Sequence, residues 1–91
     1  MSKYNGWTNY ATWRVNLEML DGMSLQDFTC LASPDVYHLQ SVIQAHVEDH
    51  IEMTTQSGIG RDYALAFVSD VNWHEIAKHM IADYERDQEA A

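Results

Sequence analysis

Apolar positions in this chain recur three and four residues apart rather than in alternation, so the expected class is all-α, a small compact bundle of four to five helices. A first helix is expected from Thr8 or Asn9, either of which can cap it. Its apolar stripe is Tyr10, Trp13, Leu17 and Leu20, and Gly22 ends it. Ser24 followed by Asp27 has the form of a capping box, which favours a turn or two of helix through Leu25, Phe28 and Leu31. Ser33 as N-cap, Pro34 at the first helical position and Asp35 at the positive end of the dipole then predict a long helix to about Thr54. The core face of this helix is Val36, Leu39, Ile43, Val47 and Ile51.

Residues 55–60, Thr-Gln-Ser-Gly-Ile-Gly, form a connector too short to separate domains, so residues 1–91 are expected to fold as one unit. From Asp62 to Ser69 the dense run Tyr63, Ala64, Leu65, Ala66, Phe67, Val68 is compatible with a buried helix or a buried strand, and helix is the expected form. Asn72 and Glu75 make a second capping box. It opens a last helix with core face Trp73, Ile76, Ala77, Met80 and Tyr84, on which Glu75 can pair with Lys78 and Asp83 with Arg86. Glu85, Asp87 and Glu89 oppose the dipole at its end, so fraying is expected over about 85–91.

Charge changes this picture. The formal charge is −9, and no lysine or arginine occurs between Arg14 and Arg61, where seven carboxylates do: Glu18, Asp21, Asp27, Asp35, Glu48, Asp49 and Glu52. An ordinary solvated surface interleaves both signs. Glu48, Asp49 and Glu52 cluster in the last turns of the long helix, against its dipole and with no cation in the segment. They are the leading candidates for binding a basic partner, with solubility as the alternative reason for the acidity. Five scattered bases cannot build a phosphate-binding footprint, so no direct nucleic-acid binding is expected. No apolar run approaches the roughly twenty residues of a spanning helix, so no membrane association is expected either.

The N-terminal aromatics Tyr4, Trp7, Tyr10 and Trp13 stand three apart, with Arg14 beside the last. Tyr, Trp and Arg commonly anchor interfaces, so Trp7, Tyr10, Trp13 and Arg14 form a second candidate patch, although a stripe at helical spacing favours core packing for the aromatics; the alternative function is a structural or regulatory homo-oligomer, such as a homodimer, held by Trp7, Tyr10 and Trp13. His46 and His50, one turn apart, have the spacing of a metal-binding pair. Val47 stands where the metalloprotease motif has Glu, and no third ligand is singled out by spacing. Gly58-Ile59-Gly60-Arg61 lacks the lysine and the strand-to-helix setting of a phosphate loop and reads as a connector. Cys30 is a lone thiol among Phe28, Leu31 and Ala32, expected to be buried and without chemistry. No catalytic residue and no cofactor are expected. Lys3 is followed by Tyr4, Asn5 and Gly6 rather than an apolar stretch, so the expected location is the cytoplasm.

Two segments, Tyr4-Asn5-Gly6-Trp7-Thr8-Asn9-Tyr10 with Thr12-Trp13 and Val71-Asn72-Trp73-His74-Glu75-Ile76-Ala77, resemble a family of small proteins from bacteriophages, plasmids and other mobile elements. The family opens with a Tyr-Asn-Gly-Trp-Thr-Asn-Tyr-Glu-Thr-Trp-like signature, and this chain has Ala11 where the pattern has Glu. The resemblance implies a mobile-element origin, hence a host bacterial cytoplasm, and supplies no activity. Small acidic proteins of such elements are often inhibitors of host defence, including anti-CRISPR and anti-restriction proteins that present carboxylates where a nuclease expects phosphates. By that analogy the expected partner is a basic protein or nucleoprotein complex of the host.

Overall fold

The computed structural model describes residues 6–29 and 35–90. Within them the order is α1 (Tyr10–Met19), a 3₁₀ turn (Leu25–Asp27), α2 (Val36–Thr54), α3 (Ile59–Val68) and α4 (Trp73–Ala90), with no strand among the described residues. The chain is thus a small all-α bundle. Cys30, Leu31, Ser33 and Pro34, as well as Lys3 and Tyr4, lie outside the described residues.

The long helices α2 and α4 form the centre, because each carries one unbroken apolar stripe. Leu39, Ile43, Val47 and Ile51 of α2 are buried, and so are Trp73, Ile76, Ala77 and Met80 of α4, with Val36 and Tyr84 packed at the edges. Ala77 has no exposed surface, and its small side chain lets the two backbones approach closely. The helix at 62–69 is real and starts earlier, at Ile59, after Gly58 turns the chain with φ of +142°.

Three expectations are corrected. On α1 the buried residues are Ala11, Thr12 and Val15, whereas of the expected stripe Tyr10 and Leu17 are exposed, Trp13 is half-buried and only Leu20, at the C-cap, enters the core. At 100° per residue this face lies about half a turn from the predicted stripe. The physical reason is that Thr12 finds hydrogen-bond partners inside, so the small residues can enter the core and the aromatics are left outside. On α3 only Val68 is fully buried, with Ala64 and Leu65 half-buried, so this is a largely exposed helix rather than a buried one. The N-cap of α2 is Asp35, two residues beyond the expected Ser33, and it makes no side-chain capping bond. At the far end α4 continues to Ala90. Glu, Gln, Arg and Ala are good helix formers, and Arg86 pairs with Asp83 in these last turns.

The 3₁₀ turn follows the expected Ser24–Asp27 box: the Asp27 carboxylate accepts from the Ser24 backbone N–H at 2.7 Å. Leu25 is buried beneath it. Among the described residues no helix is long and apolar enough to cross a membrane.

Candidate interaction surfaces

The two segments that flank the chain meet in space through a polar clasp at the start of α1 and α4. Asn9 caps α1 by accepting the Thr12 N–H at 2.9 Å, and its Nδ2 donates to the Asp70 carbonyl at 2.8 Å. The Thr12 hydroxyl donates to Asn9 Oδ1 at 2.7 Å and accepts the Asn72 N–H at 2.8 Å. Asn72 in turn caps α4, accepting the Glu75 N–H at 3.0 Å. In a closed capping box Glu75 would reach back to the Asn72 N–H; here its carboxylate accepts from Thr8 N–H at 3.0 Å. Glu75 is therefore spent on the clasp rather than on the expected pair with Lys78. The residues most distinctive in the sequence, Thr8, Asn9, Thr12, Asn72 and Glu75, hold the ends of the fold together.

The N-terminal aromatics divide between two sides. Trp7 packs its indole against the His79 imidazole, with ring centroids 4.4 Å apart, and lines a cavity of about 220 Å³ with Asn16, Leu20, Ile76 and Met80. Tyr10, Trp13 and Arg14 lie on the other side. Tyr10 stands 5.6 Å from Trp13 and meets the edge of Phe67 of α3 at 6.1 Å. Arg14 donates to the Tyr10 hydroxyl at 3.2 Å and pairs with Glu18 at 2.6 Å. Glu18 holds the guanidinium pKa above its ordinary value, first through the hydrogen bond and then through charge. Beside this cluster an apolar groove of about 230 Å³ runs between Val15, Met19, Ile51, Ala64, Phe67 and Val68.

The acids of α2 stand differently from expectation in one respect. The end of the helix is compensated, by a cation from the next helix: Arg61 donates to the Glu52 carbonyl at 2.7 Å and to the carbonyl and hydroxyl of Thr55. A guanidinium on the last carbonyls satisfies acceptors the helix leaves open and opposes the negative end of the dipole. Arg61 thereby faces the backbone, not the carboxylates. Glu48 is half-buried and accepts from Gln44 at 3.1 Å, whereas Asp49 and Glu52 are exposed and make no ion pair or side-chain hydrogen bond among the described residues.

His46 sets its ring edge-on to Phe28 at 5.3 Å, and among the described residues no three His, Cys, Asp or Glu side chains converge as a metal site. Ile59, expected in the connector, and Tyr63 and Phe67, expected in a buried run, are surface residues. They lie four apart on α3 and are all exposed, and their spacing was the available signal.

These features define a small helical protein with an acidic helix face and a separate aromatic face. The chain belongs to a family of unknown function, DUF7249, which it matches over residues 1–88. No curated protein and no solved structure matches it.

Proposed function

We propose that this protein is a non-catalytic binding protein that engages a basic surface of a partner through the carboxylates at the end of α2. One observation carries this reading: of the four Lys and Arg side chains in the described residues, Arg14 and Arg86 are held by Glu18 and Asp83, Arg61 by backbone carbonyls, and Lys78 stands exposed on α4, so Asp49 and Glu52 are left without a cation. Charged groups left unpaired on a stable helix cost the free protein little in water and gain most when a cationic surface arrives. With −9 overall, long-range attraction speeds the encounter and salt weakens it. The resemblance to mobile-element proteins directs the choice of partner toward host defence complexes, whose nucleic-acid-binding surfaces are basic. Carboxylates there would take the place of phosphates.

The test is capture of partners from nuclease-treated bacterial lysate with the tagged protein and with a Glu48→Gln, Asp49→Asn, Glu52→Gln triple variant. The expected result is recovery of a nucleic-acid-handling complex at low salt, lost at high salt and lost with the triple variant. Equal recovery by the triple variant would remove the α2 patch from the account.

A further inference from the structure

We propose that the α1–α3 face is a docking surface for a second copy of this chain. Three observations converge on it. Ile59, Tyr63 and Phe67 of α3 and Tyr10 and Leu17 of α1 are exposed, with Tyr63 at 70% and Ile59 at 68% of their full surface, and the Tyr10–Phe67 contact joins the two rows. At roughly 200 Å² for a side chain of this size, the five present on the order of 500 Å² of apolar surface. That is near the upper range for a monomer's largest patch, and it is the right size for the apolar core of a face burying about 800 Å² per partner.

Charge then selects the occupant. α1 carries Arg14 and Glu18, and α3 carries Arg61 and Asp62, so the two helices together are neutral and the whole net charge of −9 falls on the rest of the chain. Arg14 and Glu18 are already paired, and Arg61 is turned onto α2. A basic partner would find nothing to attract it here and would choose the acidic faces. A second copy meets the opposite situation, because a two-fold interface opposes each patch to itself and the charges of α1 and α3 sum to zero, so self-opposition here carries no net repulsion. The groove between Val15, Ile51 and Phe67 offers a recess for a side chain of the facing copy. The inference is independent of the reading of α2, and the two respond to salt in opposite directions.

Light scattering coupled to size exclusion, from low to high protein concentration, tests it on the full chain. A dimer is expected at about tens of micromolar, tightening as salt rises from ~0.05 to ~0.5 M because the repulsion between the two acidic bodies is screened. Tyr63→Glu, at an exposed position, should weaken association by at least ~30-fold, the loss expected for an aromatic hot spot, with an unchanged far-ultraviolet spectrum and melting temperature. In the wild type, amide exchange over 59–67 should slow with concentration while the first half of α2, Val36 to Ile43, is unaffected. A monomer at several hundred micromolar in high salt overturns the proposal; so does a dimer that survives Tyr63→Glu together with Phe67→Glu.

Discussion

Thr12 is the one buried polar side chain among the described residues, with no exposed surface, and replacing it with valine tests the clasp directly. Valine keeps the shape and nearly the helix propensity of threonine, so the change isolates the hydroxyl. Two bonds disappear. Asn9 Oδ1 keeps the Thr12 N–H and loses one of its two donors, which costs about 1 kcal/mol. The Asn72 N–H loses its acceptor altogether, which costs about 1–3 kcal/mol and falls toward the lower figure because Asn72 stands at the surface, where water can approach. The sum is about 2 kcal/mol. For a chain of this length that lowers the melting temperature by roughly 8–16 °C. Urea unfolding followed by circular dichroism gives the free energy, with an unchanged slope if only the native state is affected. Thr12→Ser is the control, since it keeps the hydroxyl and gives up a methyl at about 1 kcal/mol. A loss below ~0.5 kcal/mol for valine, or serine proving worse than valine, would show that packing rather than hydrogen bonding holds the two helix starts together.

Replacing Arg61 with Met keeps the aliphatic stem and removes the donors to the Glu52 and Thr55 carbonyls. The expected loss is about 1–2 kcal/mol, with the amides of Thr54 and Thr55 exchanging faster before any others; unchanged exchange there would refute the capping role. On α1, Leu17→Lys should leave stability within about 0.5 kcal/mol, whereas Val15→Lys, which buries a charge, should prevent folding. Similar melting curves for the two would mean that α1 presents a different face to the core.

How far the fold could be read from the sequence depended on how many apolar stripes a helix carries. On α2 and α4 there is one stripe, so Leu39 to Ile51 and Trp73 to Met80 mark the core without ambiguity. The caps at Ser24 and Asn72 were equally plain, and Asn9 was one of two candidates beside Thr8, because a cap is a local matter of one side chain and an amide three residues away. What joins the caps was not readable: Thr12 meets the Asn72 amide across 60 positions, and Thr8 meets Glu75 across 67. The same limit hid the role of Arg61. Its distance of nine residues from Glu52 is no helical spacing, and only the turn at Gly58 brings it back over the end of α2.

The misreading of α1 and α3 has a physical content of its own. Each carries two sets of apolar residues, and amphipathic periodicity can only report that a stripe exists, not which of two the core takes. On α1 the core takes Ala11, Thr12 and Val15, the smaller set, because the clasp anchors Thr12 and fixes the rotation of the helix. Tyr10 and Leu17 are then surplus to the core, as are Ile59 and Tyr63 on α3. Large apolar side chains left partly in water on two adjacent helices add little to the core, and they cost solubility that a charge of −9 offsets elsewhere. Departures from local rules of this kind concentrate where a surface serves something other than folding. The acidity and the aromatic face are thus connected. A chain that balances its charges on α1 and α3 and places its net charge on the rest of its surface separates the two proposed uses: self-association on the balanced face and cation binding on the acidic one.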